Sequence, residues 1–112
     1  MERAVLVYTT WPSIVEAERA GRAIVERRLA ACVNILPQVR SIYRWREKVE
    51  DSDEWMLVIK SRRDLFLALR AEIERLHSYE TPEIIAIQVV DGSEAYLGWL
   101  DHELKEGSEK LS

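Results

Sequence analysis

The chain has 112 residues, of which 47% are hydrophobic and 32% charged, and its 16 basic and 20 acidic side chains give a net charge of −4. This length predicts one domain, large enough to bury a single core without disulfide or metal support. The acidic balance argues against a partner of nucleic acid, because the basic pairs at 27–28 and 62–63 are short and interrupted by acidic residues.

The single cysteine and the absence of long apolar segments bear on the compartment. Cys32 cannot form an internal disulfide, which favours a reducing environment. The first twelve residues lack the pattern of a signal peptide, and no segment approaches the ~20 apolar residues that cross a bilayer. We therefore expect a cytoplasmic protein without a membrane partner.

The chain opens with a strand and a helix. Residues 4–8 are a short continuous apolar run, typical of a buried strand. Ser13, followed three residues later by Glu16, has the pattern of a capping box and predicts a helix start. The small residues Ala17 and Gly21 on its apolar face indicate close packing on a sheet.

Residues 30–47 are rich in β-branched and aromatic residues and contain Pro37. Because proline is tolerated in a sheet at an edge, a bulge or a strand start, this segment predicts a long, bent edge strand or two strand pieces. The polar residues 47–53 predict a turn, and residues 54–60 predict a buried strand. Residues 31–60 are thus expected to form a hairpin.

The second half predicts a helix, a strand and a terminal helix. We expect Ser61 and Asp64 to cap the helix whose apolar positions recur at helical spacing: Leu65, Leu69, Ile73 and Leu76. Pro82 begins the last apolar run, and a short amphipathic helix follows. We expect residues 1–104 to form a single domain and residues 105–112 a flexible tail.

This order of elements predicts an α+β fold, a ferredoxin-like split βαβ sandwich with an antiparallel sheet, helices on one face and an added C-terminal helix. Such a domain has no second layer for the opposite face of the sheet or for its edge strand, on which Tyr43 and Trp45 share one side. Another copy of the chain is the simplest cover. We therefore interpret Tyr43 and Trp45 as interface residues rather than as a platform for nucleic-acid bases.

Three segments carry a resemblance to a known family: ERRLAACVNILPQVRSIYRWREKVE at 26–50, IK at 59–60 and LHSYETPEIIAI at 76–87. In this order and spacing they resemble the CutA family of divalent-cation tolerance proteins, over about residues 4–104. The resemblance implies a ferredoxin-like fold and a tight homotrimer built by edge pairing of the long hairpin. It also implies a link to copper tolerance and divalent metal binding, without an accepted enzymatic activity.

The resemblance implies one metal ligand, His77. In the family member usually discussed for copper binding, a first-strand thiol and two adjacent histidines are the proposed ligands, and these positions hold Tyr8, Leu76 and His77 here. Copper and zinc sites normally use three or four nitrogen and sulfur ligands, so Glu80, Cys32 or a neighbouring subunit would have to complete the site. We expect weak Cu²⁺ binding and no required cofactor.

His77 and Cys32 can each be explained by a structural role instead of metal binding. His77 ends a helical pattern, where its imidazole can cap the last carbonyl groups, and this interpretation is favoured over metal binding. Cys32 enters a strand among small residues and is interpreted as a small buried hydrophobe rather than a ligand.

A second candidate site is a cleft between subunits, formed by Lys60, Tyr79, Glu80 and Glu83. Such a group could bind a small anion or act in acid–base chemistry. The alternative is an interface network in which Lys60 pairs with a glutamate. Because no nucleophile is accompanied by a base and an orienting group, we expect no enzymatic activity.

Two functions remain open. The first is a homotrimeric metal-binding protein of the CutA type. The alternative is a trimeric small-molecule sensor resembling the PII signalling proteins, which carry a long flexible loop after the second strand. The short turn expected here lacks a phosphate-binding glycine run, and this favours the first function.

Overall fold

The computed structural model describes residues 3–106. It contains, in chain order, β1 (Ala4–Trp11), α1 (Ile14–Glu26), β2 (Cys32–Trp45), β3 (Lys48–Arg62), a 3₁₀ turn (Arg63–Leu65), α2 (Phe66–Leu76), β4 (Ile85–Gln88) and α3 (Glu94–Glu103). The expected tail falls largely on residues 107–112, which lie outside the described residues.

The four strands form one antiparallel sheet in the order β2–β3–β1–β4. The core lies between one face of this sheet and the helices α1 and α2, with Val7, Ile59, Ile24 and Ile73 fully buried together. This arrangement confirms the predicted ferredoxin-like α+β fold.

Helix α1 begins as the sequence predicts. The Ser13 hydroxyl oxygen accepts a hydrogen bond from the Glu16 backbone N–H at 3.2 Å, which satisfies one of the free amide groups of the first turn. Ala17 and Gly21 are buried against the sheet. A methyl group at Gly21 would lie 3.4 Å from the Val33 side chain, so the small residue lets the helix approach β2 closely.

The hairpin of β2 and β3 is longer than expected, and its turn is shorter. The strands pair from Cys32–Lys60 out to Trp45–Lys48, and only Arg46 and Glu47 connect them. Both turn residues have positive φ, 49° and 69°, as a two-residue hairpin turn requires. The predicted turn over residues 47–53 is therefore wrong, because these polar residues belong to an exposed stretch of β3 that projects beyond the core.

A bulge bends β2 at its proline, as the sequence predicts. The register shifts between Leu36 and Val39, and Gln38, directly after Pro37, has φ of 54°. Two residues of β2 then stand opposite one residue of β3, so Leu36 and Val39 point to the same side of the sheet. Beyond the bulge, Tyr43 and Trp45 lie on this side as well.

The start of α2 differs from the expectation. The Ser61 hydroxyl donates to the Leu29 carbonyl oxygen at 2.6 Å, and Asp64 accepts hydrogen bonds from the Arg62 guanidinium. Neither side chain caps the helix, so the predicted caps are wrong. Asp64 is instead a counter-ion for Arg62, which also donates to Asp101 and thereby ties α3 to the end of β3.

The face of the sheet turned away from α1 and α2, here called the open face, carries apolar and aromatic side chains flanked by two charged ones. By the strand register the first group is Leu6, Tyr8, Met56, Val58, Ile85 and Ile87, and Glu54 and Lys60 lie on the same face of β3. Ile85 and Ile87 remain 51% and 43% exposed. No helix in residues 3–106 is long and apolar enough to cross a membrane.

Candidate functional site

The segment between α2 and β4 begins with His77, whose ring is held on three sides. The ring stacks on Trp11, with 4.0 Å between ring centroids. Its Nε2 lies 2.6 Å from the carbonyl oxygen of Thr10, and its Nδ1 lies 3.1 Å from the backbone nitrogen of Tyr79. His77 therefore joins the end of β1 to the loop.

These contacts assign one acceptor and one donor nitrogen to the imidazole ring. The Tyr79 backbone N–H can only donate, so Nδ1 accepts, and Nε2 carries the proton that it donates to Thr10. Both ring nitrogens of His77 are thus engaged. The expected capping role of the imidazole is wrong, because the ring bonds to β1, whereas the backbone N–H of His77 satisfies the Ile73 carbonyl of α2.

The next two residues fix the loop to α1 and β3. The backbone N–H and the hydroxyl of Ser78 both donate to the Glu16 carboxylate, at 3.2 and 3.0 Å. The Tyr79 hydroxyl donates to Glu54 Oε2 at 2.8 Å. Burial, reinforced by this carboxylate, raises the pKa of Tyr79 above its ordinary value, so the phenol stays a neutral donor.

A cleft of about 620 Å³ lies between this loop and the hairpin. Three aromatic side chains and three carboxylates line it: Tyr43, Trp45, Tyr79, Glu54, Glu80 and Glu83. The structure thus brings the expected loop residues and the expected interface aromatics together within one chain.

The carboxylates of the cleft differ in their surroundings. Glu80 lies at the exposed rim, with Oε1 3.9 Å from Arg46 Nη2. Glu83 Oε1 accepts from the Thr10 hydroxyl at 3.5 Å. Glu54 is only 6% exposed, and the Tyr79 hydroxyl is the one donor that its carboxylate meets in residues 3–106.

Lys60 does not belong to this group. In the sheet Lys60 pairs with Leu6, whereas Met56 pairs with Thr10 beside the cleft. Lys60 is four residues from Met56 along β3, which is roughly 13 Å in a strand. Its Nζ donates to the Tyr96 hydroxyl at 3.2 Å. Lys60 therefore does not lie beside the loop of its own chain, and its place in a cleft between subunits stays a prediction.

The described part of the chain contains no group of three or more His, Cys, Asp or Glu side chains placed to hold a metal ion. Cys32 is half-buried and stands opposite Lys60, at the far end of the sheet from His77. It cannot complete a site with His77 in one chain. Copper binding through His77 stays a prediction.

Sequence reasoning missed Glu54 and Thr10. Glu54 is the first residue of the apolar segment 54–60 and was placed at the border of the expected turn. A glutamate beside a run of buried strand residues was the available signal, because a buried carboxylate needs a partner.

The family model of the CutA1 divalent ion tolerance protein matches residues 5–103. The chain belongs to the CutA family. The divalent-cation tolerance protein CutA of Thermus thermophilus is 43% identical over 100 residues, which are 89% of this chain and 95% of that protein. The chloroplastic protein CutA of Arabidopsis thaliana is 39% identical over 97 residues, which are 87% of this chain but 53% of that protein. The chain therefore spans about half the length of this second CutA relative.

Solved CutA structures have the same fold. The divalent cation tolerance protein of Thermus thermophilus superimposes with a TM-score of 0.89 at 39% identity, over 91% of this chain and 99% of that chain. CutA1 of Oryza sativa superimposes with a TM-score of 0.91 at 37% identity, over 94% of this chain and 96% of that chain.

Proposed function

We propose that this CutA chain acts as a homotrimer in the tolerance of divalent metal ions, binds Cu²⁺ weakly and catalyses no reaction. Membership of a family described by divalent ion tolerance supports the metal role. The observation that carries the assembly is the exposure of Ile85 and Ile87 on the open face, at 51% and 43%.

The hairpin supports the same assembly. Ile42 and Val49, on its projecting part, are 72% and 68% exposed, and Tyr43 and Trp45 are more than two-fifths exposed. Large apolar side chains are thus exposed on both faces of the hairpin, and exposed apolar surface marks an interaction site. We place Tyr43 and Trp45 at the contact between subunits, where the long free edge of β2 can pair with another chain.

Copper binding through His77 should be weak. A metal ion at Nδ1 would displace the Tyr79 N–H, and one at Nε2 would displace the proton donated to Thr10. Cu²⁺ remains the best candidate, because it has the highest affinity of the divalent first-row ions for nitrogen ligands. Ligands from a neighbouring subunit are needed to raise the affinity.

The absence of enzymatic activity is supported by the placement of the reactive groups. The His77 imidazole is engaged on both nitrogens, and Cys32 lies far from it in the chain. The Ser78 hydroxyl donates to Glu16, but this carboxylate has no further side-chain partner in residues 3–106 to orient it as a base. With its single unpaired cysteine, the protein is proposed to work in the cytoplasm.

The sensor function resembling PII proteins has less support. Arg46 and Glu47 alone connect β2 to β3, so the described hairpin has no long loop to receive a nucleotide. The metal function is therefore preferred.

Calorimetry with Cu²⁺ tests the metal proposal. The chain has two histidines, and exposed His102 is the matched control for buried His77. We expect weak binding by the wild type, loss of that binding in His77→Ala and retention in His102→Ala, with the fold of each variant checked by circular dichroism. Binding that survives His77→Ala but disappears in His102→Ala would contradict the assignment.

A further inference from the structure

The cleft between the loop and the hairpin is lined by three carboxylates, and the cation expected beside them, Lys60, lies elsewhere in its own chain. Lys60 lies beside Tyr96, and no lysine or arginine lines the cleft in the described part of the chain. We propose that this cleft binds an organic cation, such as a substituted ammonium group, and not an anion.

The buried carboxylate of Glu54 is the first argument. An ionised group removed from water needs a counter-charge or several hydrogen bonds. Glu54 has one neutral donor, the Tyr79 hydroxyl at Oε2, and its Oε1 accepts no hydrogen bond in residues 3–106 but is not fully buried, so it stays open to the cleft. Because Glu54 lines the cleft, a cation that enters can reach this oxygen.

The aromatic rings are the second argument. Trp45, Tyr43 and Tyr79 line the same cavity, and rings of this kind attract cations at their faces. In the proposed trimer this cavity lies beside the subunit contact in which Tyr43 and Trp45 take part. The chain already shows this preference at the rim, where the Arg46 guanidinium lies 5.5 Å from the Trp45 ring centroid and near Glu80. Arg46 stays at the exposed rim and forms no ion pair with Glu54.

The third argument distinguishes an organic cation from a metal ion. The carboxylates of Glu54, Glu80 and Glu83 do not converge as metal ligands, since the described residues contain no such group. A cavity of about 620 Å³ is also far larger than a metal site and matches the size of small-molecule pockets. A cation whose charge is spread over several carbon-bearing groups fits both the volume and the rings.

Titration with choline and with its neutral isostere, 3,3-dimethylbutan-1-ol, tests the proposal on the full chain in the presence of a chelator. The two molecules have nearly the same shape, so their difference reports the charge. We expect saturable choline binding, followed by calorimetry, and at least about tenfold weaker binding of the isostere. The chelator separates this result from the metal proposal.

Three variants locate the site. Glu54→Gln keeps the hydrogen-bond acceptor for Tyr79 but removes the charge, and we expect choline binding to weaken at least about tenfold. Glu83→Gln, at a more exposed position, gives a second measurement if Glu54→Gln folds poorly. Glu74→Gln, on the outer surface of α2 beside Arg70, is the matched control and should bind like the wild type.

Equal binding of choline and its isostere would overturn the proposal, as would choline binding that survives both Glu54→Gln and Glu83→Gln. Failure of choline to bind the wild type would also overturn it, and would indicate that a basic side chain of a neighbouring subunit fills the cleft. Stronger binding of acetate or phosphate than of choline would also overturn it and would indicate that the cleft binds anions.

Discussion

Strand β3 carries two buried charged residues, Glu54 near its middle and Arg62 at its end, and their surroundings differ. Arg62 and Glu54 are each 6% exposed. Arg62 contacts Asp64 and Asp101 and also donates to the Lys105 carbonyl oxygen. Glu54 has only the Tyr79 hydroxyl. A buried charge with a full set of partners is structural, whereas one with an unused oxygen in a cleft is available to a ligand.

Helix α2 provides a third case that supports this contrast. Glu72 is as buried as Glu54, but its carboxylate accepts two hydrogen bonds from Arg75 and lies 3.4 Å from Arg27. Glu72, a buried glutamate with a structural role, is thus paired with two arginines of the same chain. Their absence at Glu54 distinguishes the cleft from the rest of the described molecule.

The largest expected effect comes from breaking the Arg62 cluster. Asp64→Ala should lower the free energy of unfolding by about 3 kcal/mol, because it leaves a buried guanidinium without its closest counter-ion. Urea denaturation measures this change. Arg63→Ala, at the exposed neighbouring position, is the control and should change stability by less than about 0.5 kcal/mol. Equal losses of stability in Asp64→Ala and Arg63→Ala would show that Asp64 is not an important counter-ion of Arg62.

An effect of similar size concerns assembly. Trp45→Ala should weaken the proposed trimer by about 2–4 kcal/mol, because buried aromatic anchors dominate the energy of protein interfaces. Light scattering should give about three times the chain mass of 13.1 kDa for the wild type and a lower mass for the variant on dilution. Trp99→Ala, at a similarly exposed tryptophan on α3, is the control. An unchanged mass for Trp45→Ala would place Trp45 outside the interface.

The fold prediction succeeded, whereas Lys60 does not lie beside the loop of its own chain. Apolar runs, the Ser13 cap and Pro37 are local signals, and they gave the element types and the bend in β2. Lys60 was expected near the loop because it ends a neighbouring strand. It pairs with Leu6, whereas the loop contacts Thr10 and Trp11 at the opposite end of β1.

The contacts of His77 and Glu54 could not be read from the sequence. His77 reaches Thr10 and Trp11 across 67 and 66 positions of the chain, and Tyr79 reaches Glu54 across 25. Only the packed sheet brings these residues together. The polar pattern of residues 47–53 was misleading for a related reason, because a projecting hairpin is exposed on both sides and shows no apolar alternation.

The two buried glutamates should respond differently to loss of charge. Glu72→Gln should lower stability by about 1 kcal/mol, a value discounted because Arg75 and Arg27 are largely exposed. Glu54→Gln should leave stability within about 0.5 kcal/mol of the wild type or raise it, because the buried carboxylate lacks a cation. Matched urea denaturation of both variants measures the difference. A larger loss for Glu54→Gln would contradict the contrast.

The smallest effect is a dependence on pH. The hydrogen bond from Arg75, against the opposing effect of burial, lowers the pKa of Glu72 below its ordinary value of 4.5. Its contribution to stability is therefore complete above pH 4.5 and is lost as the pH falls through the lower value of the folded state. The wild type should lose more stability than Glu72→Gln between pH 5 and pH 3, followed by thermal unfolding. Parallel curves would exclude this contribution.

A crystal structure of the assembled protein soaked with choline tests the contrast between Glu54 and Arg62 most directly. We predict that the trimethylammonium group lies within about 6 Å of the Trp45 or Tyr79 ring centroid and faces Glu54, with no lysine or arginine of a neighbouring subunit in contact with that carboxylate. A basic side chain of a neighbouring subunit paired with Glu54 would contradict the account, because Glu54 would then be a satisfied structural charge like Arg62.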